Sequence, residues 1–178
     1  VLRPEAKNMV ERLHSMNTNI VLLTGDNQKT ADYFARQVGI RQIRAQLLPE
    51  EKVSNIAAIQ NEGKAVCMIG DGVNDAPALK TANVGVAMGG LGSDIAVDAA
   101  DIVLMGDDIS KPPYLKRLSN ATVKTIKFSI CLSMCINLLA VLLSVMGVLN
   151  PTTGALVHNA GSCFVVLIAA LLYDRKLD

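Results

Sequence analysis

Two long stretches near the end of the chain carry almost no charge, and they limit its possible folds more than any other feature. Phe128 to Leu149 runs without a charged residue, and Gly154 to Tyr173 does so apart from His158. At 1.5 Å rise per residue, about 22 helical residues extend roughly 33 Å, which matches a hydrocarbon core of about 30 Å. Both read as membrane helices, over 128–149 and 154–173, joined by the uncharged loop 150–153. Lys116, Arg117, Lys124 and Lys127 lie before the first span, and Arg175 and Lys176 lie in the tail 174–178 after the second. By the positive-inside rule the basic ends face the cytosol and the short loop faces out, so a lipid bilayer is an expected partner.

Composition agrees with apolar residues concentrated in one place: 51% are hydrophobic, yet only 3% are aromatic and there is no Trp. A formal net charge of +1 leaves no electrostatic footprint for nucleic acid, and that class of partner is set aside. Cys67, Cys131, Cys135 and Cys163 have no disulfide-framework spacing, and reduced thiols are expected. The chain opens at Val1 with no signal peptide, and a segment upstream is expected.

From Arg3 to Met105 helix-period and strand-like segments alternate, as in repeated βα units around a parallel sheet. Helices are expected at about 4–16, 28–38, 49–61, 76–81 and 93–97. Strands are expected at 20–23, 43–45, 65–69, 84–87 and 102–104. Pro49 suits a first helical turn, where its missing N–H has no intrahelical partner to lose. The strand 65–69 looks too apolar for an edge and fits one covered on both faces. The motif Lys111-Pro112-Pro113 reads as a break, followed by a basic connecting helix over 111–127. The whole is therefore an α/β domain over 1–110, built on a Rossmann-like parallel sheet and followed by a transmembrane α-helical hairpin.

Ligands of open parallel sheets sit outside the carboxyl ends of strands, and two loops there carry the chemistry. Thr24-Gly25-Asp26 offers a hydroxyl and backbone N–H groups for a phosphate oxygen, although an Asp or Asn between strand and helix is more often a cap. Gly70-Asp71-Gly72-Val73-Asn74-Asp75 sets two carboxylates four apart among glycines. That is a hard oxygen site suited to Mg²⁺ together with phosphate and water, or else a plain turn.

The stretch from Met68 to Leu79, with Gly70-Asp71-Gly72-Val73-Asn74-Asp75 inside it, resembles the hinge motif of P-type ATPases, members of the haloacid-dehalogenase-like phosphotransferases. Thr24-Gly25-Asp26, Lys52, Gly85-Val86-Ala87-Met88-Gly89 and Ala99 to Met105 extend the likeness over nearly all of the soluble part. The resemblance implies a sheet of the haloacid-dehalogenase type, with Mg²⁺ on Asp71 supported by Asp75. It also implies that Asn74 and Thr24 hydrogen-bond the transferred phosphoryl group, that Lys52 neutralises its charge, and that Asp26 lies on the nucleotide side. ATP would be held mainly by a domain absent from this chain. The family's phosphorylated motif, Asp-Lys-Thr-Gly-Thr, is absent too, since Asp26-Asn27-Gln28-Lys29-Thr30 has the wrong order; the resemblance then implies a nucleophile in the upstream part of the same polypeptide, and a chain inactive by itself.

Polar groups inside a span are costly and are functional candidates. Asn137 lies about 15 Å from the cytosolic side, while Gly161 and Ser162 lie roughly 12 Å from the outer side, so the two levels nearly coincide. They could form an ion site, or Asn137 and Ser162 could simply bridge helices that Gly161 lets approach. His158 and Asn159 lie nearer the outer surface, where a neutral imidazole suits borderline transition metals. Cys131 and Cys135 share a helix face and could offer thiolates, or serve as small hydrophobes. Ending after two spans resembles the heavy-metal branch, and His158-Asn159-Ala160-Gly161-Ser162 looks like a motif of that branch's final helix in divalent-metal exporters. The expected protein is a multi-pass plasma-membrane exporter of a transition-metal cation with its phosphorylation domain in the cytosol. Its rivals are a soluble phosphatase of the same superfamily, a membrane-anchored remnant without turnover, and a pump of another ion class.

Overall fold

The computed structural model describes residues 2–70, 74–89, 98–106 and 108–172. The chain divides between Pro113 and Tyr114 into two compact units. The first contains α1 (Ala6–Ser15), β1 (Val21–Leu23), α2 (Gln28–Val38), β2 (Gln42–Arg44), α3 (Pro49–Asn61), β3 (Cys67–Gly70), α4 (Ala76–Thr81), β4 (Val84–Gly89) and β5 (Ile102–Met105). The expected helix at 93–97 lies outside the described residues.

Helix ends in this unit follow local chemistry. Asn27 accepts from the Thr30 amide at 2.9 Å and caps α2, and Gly39 closes that helix at φ +84°, a conformation that favours glycine. In α3, Pro49 occupies the first turn, and the Glu51 carboxylate reaches back to the Leu48 amide at 2.7 Å.

All the described strand pairs are parallel. One ladder joins β1 to β2, with Leu22 opposite Ile43, and the other runs in the order β3, β4, β5, with Met68 opposite Gly85 and Val86 opposite Ile102. This is the α/β arrangement the sequence implies, with one correction. β3 is not flanked by strands on both sides within its ladder, and Cys67 is open to solvent. Side chains, not ladder bonds, cover its other flank: Leu23 of β1 packs into the core cluster formed by Met68 of β3, Ile56 of α3, Ala78 and Leu79 of α4, and Ala87 of β4. Although the residue as a whole is open, desolvation of its sulfur raises the Cys67 thiol pKa, and the Asp101 carboxylate adds to the effect, so the thiol stays protonated at neutral pH.

α4 lies hard against β4. A β-carbon on Gly85 would stand 2.6 Å from the Leu79 carbonyl oxygen, so only glycine admits this contact. The same glycine is held from the other side, because its amide donates to Asp101 Oδ2 at 2.8 Å and its carbonyl accepts from the Asp101 amide at 2.9 Å. α4, which follows the acidic loop, therefore has little freedom to shift.

The second unit differs from expectation at its inner helix ends. α5 (Lys111–Val145) is one continuous helix of 35 residues that takes in the expected connecting helix over 111–127 and most of the expected span over 128–149. Pro112 and Pro113 start it instead of breaking the chain, because first-turn prolines give up no intrahelical hydrogen bond. It stops at Val145, with Gly147 at φ +74° and the Gly147 and Val148 amides bonded to the Ser144 and Leu143 carbonyls, each at 3.0 Å. The expected loop 150–153 is mostly helix as well. Asn150 accepts from the Thr153 amide at 2.9 Å while Thr153 Oγ1 accepts from the Asn150 amide at 3.0 Å, so this capping box with Pro151 starts α6 (Pro151–Ala170) three residues early. Both helices are long and apolar enough to cross a membrane.

Gly85→Ala is expected to cost about 1–3 kcal/mol, the usual range for overpacking against backbone that cannot retreat, and a lowered urea midpoint in detergent micelles would register it.

Candidate functional site

The first loop follows directly from β1. The Thr24 amide donates to the Arg44 carbonyl at 3.0 Å and extends the β1–β2 ladder by one bond. Thr24 Oγ1 accepts from the Asp26 amide at 3.1 Å and donates to Asp26 Oδ2 at 3.0 Å, which closes a tight turn around Gly25. Two bonds tie that turn to the segment after β2: the Gln46 amide donates to the Asp26 carbonyl at 2.8 Å, and the Leu47 amide to the Thr24 carbonyl at 3.0 Å. Since the cap of α2 is Asn27, the Asp26 carboxylate is not used as a helix cap and remains exposed beside the threonine hydroxyl.

Gln46 went unnoticed in the sequence. It holds φ +57°, a left-handed conformation that costs a non-glycine residue about 1–2 kcal/mol. The bond from its amide to Asp26 offsets part of that cost. No sequence signal marks it, because glutamine has no special preference for that region.

The second loop is described on both sides of residues 71–73. Asp71 lies outside the described residues. Asp75 is buried, and its side chain forms no hydrogen bond to the α4 terminus that it precedes. Instead its Oδ1 accepts from Lys52 Nζ at 2.6 Å, with both side chains 13% exposed. Lys52 is therefore not a solvated helix lysine: α3 packs Val53 and Ile56 against the core, and Lys52, beside Val53, pairs with Asp75. Gly70 makes room for the carboxylate, because a β-carbon there would lie 2.8 Å from Asp75 Oδ2. Asn74, just before Asp75, is exposed.

The loops lie close in the fold to the extent that Leu23, adjacent to Thr24, and Met68, two residues before Gly70, share one core cluster. The donors suit a hard cation such as Mg²⁺, being carboxylate and backbone oxygens with no sulfur or imidazole among them. Among the described residues no three metal-ligating side chains converge, so such an ion would need Asp71, phosphate or water to complete its shell.

In the second unit Asn137 Oδ1 lies 3.0 Å from His158 Nδ1. The expected levels set Asn137 beside Gly161 and Ser162; Gly161 does lie against Ile136, the neighbour of Asn137, and His158 reaches that level as well. With α5 ending at Val145 and α6 starting at Pro151, Asn137 lies about 12 Å from its helix end and His158 about 10 Å from its own, so those two meet. Ser162 Oγ donates to the His158 carbonyl at 3.0 Å, within its own helix. Gly161 is the close-approach point, since a β-carbon there would stand 2.9 Å from Ile136 Cγ2. Asn159, Cys131 and Cys135 are exposed on their helices.

Residues 1–83 match the family described as haloacid dehalogenase-like hydrolase, and the first unit is a domain of that class. Over 99% of its length the chain is 42% identical to a cadmium-transporting ATPase of Staphylococcus aureus, covering 24% of that protein. It is 39% identical to a copper-exporting P-type ATPase of Staphylococcus epidermidis, with coverage of 99% of this chain and 22% of that one. A crystal structure of a zinc-transporting PIB-type ATPase in its E2·Pi state superposes with a TM-score of 0.90 at 30% identity, covering 97% of this chain and 28% of that one. Over nearly its whole length the chain is similar to heavy-metal P-type ATPases, and it spans about a quarter of the length of the relatives it matches.

Removing Lys52 leaves a buried carboxylate unpaired. Lys52→Met should destabilise by about 3 kcal/mol and Lys52→Met/Asp75→Asn by clearly less, a non-additivity that urea midpoints of the four proteins would measure. Gly70→Ala should disturb the same pair from the backbone side, and its cost should shrink in the Asp75→Asn background.

Proposed function

We propose that this chain is the C-terminal portion of an ATP-driven exporter of a transition-metal cation, acting through an aspartyl-phosphate whose nucleophile and nucleotide-binding domain lie upstream. The observation that carries the reading is the Lys52–Asp75 pair seated against Gly70, in a chain that also holds two helices long enough to cross a bilayer. A phosphoryl group is dianionic, and its transfer depends chiefly on positioning and charge stabilisation. Lys52 supplies a cation held at low exposure by its partner, where its field is poorly screened. Thr24 and Asn74 hold phosphoryl oxygens by hydrogen bonds, and Asp26, beside Thr24, faces the nucleotide side.

Asp71 and Asp75 would hold Mg²⁺, which when bound neutralises charge on phosphoryl oxygens. The Lys52 contact limits Asp75 to a supporting share, so Asp71 is the principal carboxylate ligand. The Thr24 hydroxyl is engaged with Asp26; phosphate binding therefore requires it to redirect its proton, which couples substrate arrival to release of the Asp26 carboxylate.

In the membrane, His158 is the ligand best suited to a borderline divalent ion. Asn159 and Ser162 supply oxygen near it, Asn137 holds its ring by the contact to Nδ1, and Cys131 and Cys135 are reserve thiol ligands. The cadmium, copper and zinc named for the relatives lie within this chemical range. The first unit is cytosolic and the protein spans the plasma membrane, with further contacts to the upstream part of the same polypeptide.

The reconstituted full-length protein should hydrolyse ATP only when its transported metal is supplied, across a panel of Mn, Fe, Co, Zn, Cd and Cu(I). Asp71→Asn should reduce steady-state turnover by at least about 100-fold, as loss of a principal stabiliser of transition-state charge does. Metal-independent hydrolysis at the full rate would remove the transport reading, and wild-type turnover in Asp71→Asn would remove Asp71 from the site.

A further inference from the structure

The Asn137–His158 contact constrains more than the distance between two helices. We propose that Asn137 is a positioning residue that fixes the tautomer of His158, keeping the proton on Nδ1 and the lone pair on Nε2, and that Gly161 sets the helix spacing this requires. An amide Oδ1 can only accept, so the imidazole nitrogen facing it at 3.0 Å must donate. A neutral imidazole has one N–H, and its other nitrogen is then the sole lone pair that can meet a cation. Ser162 does not compete for the ring, because its hydroxyl donates to the His158 backbone carbonyl.

The spacing follows from neighbouring residues. Ile136 precedes Asn137 on α5, and Gly161 follows His158 by three positions on α6, so it lies on the same helical face. The ideal β-carbon of any larger residue at 161 would come within 2.9 Å of Ile136 Cγ2, a branched side chain with little rotamer freedom. A larger residue would push the helices apart at the level where the amide must reach the ring. Gly161 and Asn137 thus act as one device: the first brings the helices together and the second uses that proximity to orient a proton. Partners that fix the tautomer of a ligating histidine commonly change metal affinity about 10- to 100-fold when removed. The consequence for transport rests on the reading of His158 as a metal ligand, whereas the tautomer rests on the hydrogen bond alone.

The test is magic-angle-spinning NMR of the full-length protein, labelled with ¹⁵N-histidine in lipid nanodiscs at pH 8, above the ordinary histidine range of about 6.5. Subtracting the spectrum of His158→Gln isolates the His158 ring. The expected result is a protonated Nδ1 and an unprotonated Nε2. Asn137→Gln, which retains a neutral acceptor, should preserve that pattern, while Asn137→Leu and Gly161→Ala should each shift it toward protonated Nε2. In metal-stimulated ATPase assays Asn137→Leu should raise the half-maximal metal concentration by about 10- to 100-fold. Protonated Nε2 in the wild type, or a tautomer unchanged in Asn137→Leu, overturns the proposal. If the tautomer behaves as expected but His158→Gln leaves the metal response intact, the metal-ligand role of His158 fails while the positioning by Asn137 holds.

Discussion

A buried lysine–carboxylate pair has to be made whole or not at all, and the arrangement around Asp75 follows from that constraint. Lone burial of either charge would be prohibitive, so α3 must bring Lys52 to within 2.6 Å of Asp75 as the domain folds. Gly70 has to lack a side chain for the carboxylate to settle. α4 must then begin directly after Asp75, and the close contact of Leu79 with Gly85 holds α4 against β4. Strand, loop and helix are thereby fixed around one pair of charges. That rigidity suits a site that presents charge in a set geometry.

The two units of this chain handle polar groups in opposite ways. In the first unit a charged pair is tolerated because it sits at the edge of a small core, with 13% of each side chain still exposed. In the second unit Asn137 and His158 pair with each other and the Ser162 hydroxyl pairs with backbone, while no charged residue lies between Phe128 and Leu149. The cost of charge in hydrocarbon explains the difference. It also explains why the basic residues of α5 come before Phe128, in a helix whose roughly 52 Å length exceeds a bilayer core by about 20 Å.

Much of the architecture was legible residue by residue. The helices Gln28–Val38, Pro49–Asn61 and Ala76–Thr81 are bounded by proline, Asn27 and Gly39, whose preferences are local and therefore visible in sequence. The errors arose where two local signals competed. Lys111-Pro112-Pro113 could either end or begin a helix, and Asn150-Pro151-Thr152-Thr153 could make a loop or a capping box; charge-free composition could not choose between these outcomes. With α5 ending four residues before the expected 149 and α6 starting three residues before the expected 154, His158 comes to the level of Asn137.

Sequence alone determined that this chain has a parallel α/β part with acidic loops and an apolar hairpin, because periodicity, turn chemistry and hydropathy are properties of neighbouring residues. It also marked Asp75, Lys52, Asn137 and His158 as candidates. Only the tertiary structure decided that Lys52 pairs with Asp75 across 23 positions and that Asn137 faces His158 across 21. Those partnerships depend on where separate helices come to rest against a sheet or against each other, which is settled by packing around Gly70 and Gly161 and is written in no single stretch of the chain.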